Sequence, residues 1–254
     1  MTTIQETARR NGRLYLIGLA ASVIGNNAMS LAAGIWVKAL TGSSSQAALV
    51  SMCVYAPALL GPVAGLVADR VRRRRFLVGL NLASAVLILP VVAVDGPGRI
   101  WIVFAVMTWY GVHLVLSDPA ENALFAVMLP LDVRQKLNGW SLGLQETGRL
   151  VAPLIGAGLF AVLGGGVVAV FDAVTFVVAA VMLSRLRVED AKPRPEARRL
   201  AAELVAGFDH VRRTPLLRRT LVAASVVMGF SPCWSQPSTA WCKGSGSHPA
   251  SSVY

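Results

Sequence analysis

Charge is scarce in this 254-residue chain: Asp, Glu, Lys and Arg together make up 15% of it, where soluble domains carry about 25%. Hydrophobic residues make up 55% even before the 23 glycines are counted. A soluble fold of this length has too few charges to cover so much apolar surface, so a soluble enzyme and a disordered chain are both excluded. Cysteine is also rare. Cys53, Cys233 and Cys242 show neither metal-ligand spacing nor a framework, so neither a disulfide scaffold nor a metal site is expected. The sequence also lacks a Gly-x-x-x-x-Gly-Lys-Ser/Thr nucleotide loop, a His-Glu-x-x-His pair and a nucleophile elbow. These absences argue against ATP-driven transport within the chain and against an enzyme, and no cofactor is expected.

What the sequence has in abundance is long apolar runs. They are Leu14–Leu40, Ala47–Ala68, Phe76–Val94, Ile100–Leu129, Leu137–Leu163 and Val167–Leu183, each close to the ~20 residues that cross a bilayer as a helix. The separators carry turn chemistry: Thr41-Gly42-Ser43-Ser44-Ser45, Asp95-Gly96-Pro97-Gly98 and Gly164-Gly165-Gly166. Short links between long helices make neighbours antiparallel. The fold class is therefore all-α, an integral membrane helical bundle of six transmembrane helices plus an incomplete seventh. No stretch shows the period-2 alternation of a transmembrane barrel. The first run is too long for a signal peptide and has no small-residue cleavage site.

The net charge of +11 is informative mainly through position. Twenty of the 24 Lys and Arg residues fall in the N-terminal segment, in alternate loops and in Arg185–Arg219, all on one side of an antiparallel bundle. The opposite loops offer only Lys38 and Arg99. Basic residues collect on the cytoplasmic side, so the expected protein is multi-pass in the cell membrane with its N-terminus cytoplasmic, and nucleic acid is not an expected partner. Residues 1–13 read as that N-terminus and 14–184 as the six-helix transmembrane unit. Residues 185–219 read as a basic linker. It carries an amphipathic helix (Leu200, Leu204, Phe208, Val211) whose arginines either meet anionic headgroups or simply mark the cytoplasmic side. Residues 220–230 form an apolar run too short to span, and 231–254 an irregular tail. The tail reads as out-of-frame or aberrant sequence, or else as a short genuine cytoplasmic tail.

The most specific local pattern joins spans two and three, Gly61-Pro62-Val63-Ala64-Gly65-Leu66-Val67-Ala68-Asp69-Arg70-Val71-Arg72-Arg73-Arg74-Arg75. Its small residues suit close helix approach, and its charges make a hinge at the membrane surface. A plain topological arginine cluster is the simpler alternative. The pattern resembles the loop 2–3 signature of the major facilitator superfamily, with Gly65, Asp69, Arg70, Arg73, Arg74 and Arg75 in matching positions as a conformational-switch motif. Other stretches are similar to the same family's drug and siderophore exporter branch: Trp36-Val37-x-x-Leu40-Thr41-Gly42-Ser43, Asp118-Pro119-Ala120 with Asn122-Ala123-Leu124, and the lead-in Gly207-Phe208 through Arg218. An antiporter-like motif contributes Gly148, Pro153 and Gly156. Departures are Glu121 where the branch usually has arginine, and Ala152 and Ala157 where the antiporter motif has glycines. The resemblance implies a twelve-helix fold of which this chain supplies the N-terminal six-helix half, with substrate bound near the midplane between repeats.

Charges inside spans are costly, on the order of +2.5–3.5 kcal/mol each on insertion scales, so they are candidate functional groups. Asp118 and Glu121 lie three residues apart around Pro119. Either they load and release a proton, or they are hydrated near a membrane surface. Glu146 and Arg149 form either a structural ion pair or a proton- or substrate-linked one, with Gln145 alongside as a hydrogen-bonding candidate. Asn26 and Asn27 bind substrate or bond between helices. Asp172 reads as near the outer face, and His113 reads as a bonded core residue rather than a proton relay. Trp36 and Trp101 fit an interfacial belt, while Trp109 and Tyr110 are candidates for lining a pocket. Pro153, Gly156 and Gly158 read as packing and helix-deforming residues.

The resulting functional reading is proton-coupled efflux of a drug- or siderophore-like small molecule by alternating access. The bilayer, the substrate and protons are its partners, together with a second copy (a homodimer) or a missing C-terminal half. The alternative is a non-transporting membrane fragment or an assembly or regulatory partner.

Overall fold

The computed structural model describes residues 2–61, 64, 65, 67, 71–128 and 131–186. The chain divides into units Met1–Ala197 and Arg198–Tyr254, and every described residue belongs to the first. The expected amphipathic linker helix, the short seventh run and the tail lie outside the described residues, as do Asp69 and Arg70.

All regular structure among the described residues is helical. Helix α1 is Thr2–Thr41. Helix α2 is Ser44–Tyr55, continued by a 3-10 turn over Ala56–Leu60 that begins at Pro57. Helix α3 is Arg73–Ile88, with a 3-10 extension over Leu89–Ala93. Helices α4 (Ile100–Met128), α5 (Leu131–Leu163) and α6 (Gly165–Ser184) complete the bundle. Five helices are long and apolar enough to cross a membrane; the described part of the second expected span, Ser44–Leu60, is shorter. Helix α1 begins three turns before its apolar run. At 40 residues and ~1.5 Å per residue it is longer than the ~30 Å hydrocarbon layer, so its arginine-bearing first turns extend beyond the layer.

The links show why the sequence turns where it does. Gly42 has φ 68° and its N–H donates to Lys38 O at 2.9 Å, a left-handed stop for α1 that a side chain would strain. Ser43 then caps α2, its hydroxyl accepting from Gln46 N–H. Gly164, at φ 80°, repeats the device between α5 and α6, with its N–H on Phe160 O at 3.0 Å.

Helix α1 is central, packing on α5 and α6, while α2 packs on α4 and α3 on both α4 and α6. Glycines set the closest crossings. A Cβ at Gly156 of α5 would fall 2.7 Å from Ala28 Cα, so the backbones of α1 and α5 touch there. Gly148, two turns earlier on the same face, meets Val23. Along α1 and α6, Gly18 faces Met182, Gly25 faces Asp172 and Thr175, and Trp36 lies over Gly165, which gives an antiparallel seam.

Two apolar clusters fill the bundle. One gathers Met29, Val37, Ile88, Val103, Met107 and Phe176. The other lies toward the arginine-rich end and gathers Tyr15, Leu77, Leu124, Phe125, Leu137 and Leu183. Several expectations change here. Gly61 and Gly65 have nothing within 4 Å of a built Cβ. The close approach to the second span comes from Gly111 of α4 instead, which meets Val54 O and Pro57. Gly158 likewise faces open space. Trp36 is buried against Phe160 rather than placed in an interfacial belt, whereas Trp101 is 67% exposed.

Candidate functional site

The expected carboxylate pair divides. Asp118 is exposed, while Glu121, one turn further along α4, turns toward α1. There Tyr15 Oη donates to Glu121 Oε2 at 2.8 Å. The Tyr15 ring is fixed edge-on to Phe125 with centroids 4.2 Å apart. This bond links α1 to α4. Glu121, Tyr15, Ser22, Asn81 and Leu183 line a cavity of about 30 Å³, the share of one water in the liquid. Four helices meet there: α1, α3, α4 and α6. Sequence reasoning missed Tyr15. A tyrosine at the second position of an apolar run gave no signal beyond packing.

Next to this cavity two loop-motif arginines reach neighbouring helices, and Arg74 meets a helix end. Arg73 Nη1 donates to Ala123 O of α4 at 3.1 Å, two residues beyond Glu121. Arg74 donates from Nε to Leu183 O at 3.3 Å and from Nη2 to Ser184 O, both at the C-terminus of α6. The last carbonyls of a helix have no partner within it and carry the negative end of its dipole, so a guanidinium satisfies both needs. Arg75 stands beside them in the first turn of α3.

The remaining candidates scatter. Glu146 Oε1 accepts from Arg149 Nη1 at 2.9 Å, with the two side chains 57% and 63% exposed, so the pair stands on the outer face of α5; Gln145 beside it is half-buried. Asn27 Nδ2 donates to Val23 O of its own helix at 2.8 Å, not to a neighbouring one. Asn26 Oδ1 is buried with no partner among the described residues. His113 Nδ1 lies 2.9 Å from Ser84 Oγ, which also accepts from Trp109 Nε1. The imidazole packs edge-on against Phe176. Asp172 is fully buried against Gly25 of α1.

A wider open groove of about 610 Å³ runs along α5, lined by Gln135, Lys136, Gly139, Trp140, Gly143, Leu144 and Thr147. Its size falls in the range of small-molecule sites, about 300–1,000 Å³. On the described side it is walled by one helix.

A helical bundle with spanning helices, an arginine-rich hinge and a half-buried acid tied across two spans is the setting in which comparison with known proteins is informative. The sequence profile of the Major Facilitator Superfamily matches residues 15–238. Macrolide efflux protein A of Streptococcus pyogenes is 26% identical over 174 residues, covering 67% of this chain and 43% of that protein. The protein of the same name from Enterococcus faecalis is 27% identical over 133 residues, covering 52% of this chain and 41% of its own length. Multidrug efflux pump Tap of Mycolicibacterium fortuitum is 30% identical over 242 residues, covering 88% of this chain and 58% of its own. The chain thus spans about half the length of the curated relatives it matches. No solved structure gives a significant match. With the profile covering most of its length, this multi-pass membrane chain belongs to the Major Facilitator Superfamily.

Proposed function

We propose that the chain takes part in proton-coupled efflux of a drug-like small molecule by alternating access, with Glu121 carrying the proton. The observation that carries this reading is the Glu121–Tyr15 bond across α1 and α4, beside a water-sized cavity. A carboxyl held by one hydroxyl at a junction of four helices can exchange a proton and, in doing so, change how those helices are tied. The printed names of the relatives favour a drug over a siderophore as substrate. In this reading the arginine-rich end faces the cytoplasm, which labelling of a cysteine introduced at Ser43 from outside intact cells checks. Arg73 and Arg74 then tie α3 to the cytoplasmic half of α4 and the cytoplasmic end of α6, the role proposed for the loop motif with Gly65, Asp69, Arg70 and Arg75. Gly148 and Gly156 serve as the antiporter-like motif's packing face on α1, and Pro153 lies between them.

The test is accumulation of a labelled macrolide in efflux-deficient cells, with membrane insertion verified by immunoblot. Cells carrying the chain accumulate less drug than control cells, a protonophore abolishes the difference, and Glu121→Gln abolishes it too. A second reading is a non-transporting fragment or assembly partner. Inserted protein with unchanged drug accumulation is its signature. A homodimer, or pairing with a separate second half, would add a second wall to the α5 groove, which one helix walls among the described residues.

A further inference from the structure

Asp172 is the one acidic residue among the described residues that is fully buried. It is the eighth residue of the 20-residue helix α6, so it lies ~10 Å along a ~30 Å helix, about 5 Å from its middle. Among the described residues no Lys or Arg is paired with it. Between Arg13 and Lys38, α1 carries no titratable side chain except Tyr15, and α3 carries none after Arg75 through its extension at Ala93. The charged pair of α5, Glu146 and Arg149, is engaged with itself on the exposed face. His113 of α4 reaches Phe176, one turn from Asp172, but its Nδ1 is occupied by Ser84.

The immediate surroundings fit a neutral acid better than a carboxylate. Thr175 Oγ1 lies 2.8 Å from Asp172 O and 3.0 Å from Asp172 Oδ1. A hydroxyl has one proton and cannot serve both acceptors fully. If the carboxyl carries a proton of its own, each contact becomes one hydrogen bond: Thr175 donates to the backbone carbonyl, and the carboxyl donates to Thr175. The other oxygen, Oδ2, is buried with no partner among the described residues. That is tolerable for the carbonyl oxygen of an acid but costly for half of a carboxylate, because an unpaired charge taken out of water costs several kcal/mol. Gly25 seals the site from the α1 side. A Cβ at Gly25 would lie 3.0 Å from Thr175 Cβ and closer still to Thr175 Oγ1 and Asp172 Oδ1, so no water fits between the helices there.

We infer that Asp172 is a second intramembrane proton site, coupled to the seam between α1 and α6: the seam closes on the neutral acid and opens when the proton leaves. In that step the carboxyl O–H bond breaks, the electron pair stays on the carboxylate, and water admitted between α1 and α6 takes the proton. The inference deepens the proton-coupled reading above, but its test uses no substrate. Failure of drug efflux therefore leaves it standing, and its own failure leaves Glu121 untouched.

The test is made on the whole chain in lipid nanodiscs with no drug added. Infrared difference spectra between acidic and alkaline buffer read the C=O stretch of a neutral carboxyl. The parent shows absorption here in acid and loses it in alkali; one component of that loss is absent from Asp172→Asn and kept in Glu121→Gln, while the other carboxyls contribute to all three. Seam closure is read by disulfide formation between Gly18→Cys and Met182→Cys, in a chain with its native cysteines changed to serine. A built Cβ at Gly18 lies 3.3 Å from Met182 Cβ, close to the ~3.5–4.5 Å a disulfide requires. Crosslinking of this pair, divided by that in the Asp172→Asn background at the same pH, falls several-fold from acid to alkali. The ratio cancels the pH dependence of thiol oxidation. If Asp172→Asn fails to insert, Thr175→Val is read instead and displaces the pH at which the component disappears. No component lost between parent and Asp172→Asn, a component unchanged by pH, a constant crosslinking ratio or an unmoved component in Thr175→Val overturns the inference.

Discussion

Gly156 and Gly158 are two residues apart on α5, yet the structure gives them opposite expectations. A Cβ at Gly156 meets the Ala28 backbone, 2.7 Å from its Cα, while one at Gly158 meets nothing within 4 Å. Backbone cannot move aside as a side-chain tip can, so Gly156→Ala forces α1 and α5 apart, with an overpacking cost of about 1–3 kcal/mol. Gly158→Ala fills open space and replaces a poor helix former. Thermal unfolding in detergent should place Gly156→Ala well below the parent and Gly158→Ala at or above it; equal melting temperatures would contradict the α1–α5 crossing. Identity alone does not separate the two glycines, because a sequence shows that a residue is small but not what stands opposite it. The same limit explains Asp172, whose position in the run was readable but whose burial against Gly25 was not.

At the scale of elements, the arginines after the second span do more than mark a membrane side. Arg74 reaches both Leu183 O and Ser184 O, which makes it a cap for α6 supplied by α3. Arg74→Ala removes both bonds and the favourable dipole contact, a loss of about 0.3–2 kcal/mol. Arg74→Lys restores charge without the planar fork. Hydrogen exchange at the amides of α6's last turn should quicken in Arg74→Ala and only partly recover in Arg74→Lys. Unchanged exchange would leave these arginines with a topological role alone. Most elements were legible beforehand, because apolar runs of spanning length, Gly42 and Gly164 are local signals. The second span is the exception, since Pro57 turns its described end into a 3-10 segment. Which helix faces meet was not legible. Helical periodicity sets angles within one helix and says nothing about its partner, so Asn27 turned out to bond its own backbone and Glu121 to pair with Tyr15 rather than with Asp118.

For the whole molecule, the described helices form one bundle around α1, with its acids in distinct environments. Glu121 is half-buried and tied to Tyr15, Asp118 is exposed, and Asp172 is sealed at the α1–α6 seam. This distribution suits proton exchange at Glu121, which is tied to a neighbouring helix without being sealed, whereas exchange at Asp172 requires the seam to open. The most direct measurement is proton movement itself, in proteoliposomes holding the purified chain and an internal pH dye. Proton-coupled efflux through Glu121 predicts that adding a macrolide changes internal pH in parent vesicles, and that Glu121→Gln vesicles with the same protein content show no change. Identical traces with and without drug in parent vesicles, or an undiminished response in Glu121→Gln, would contradict it.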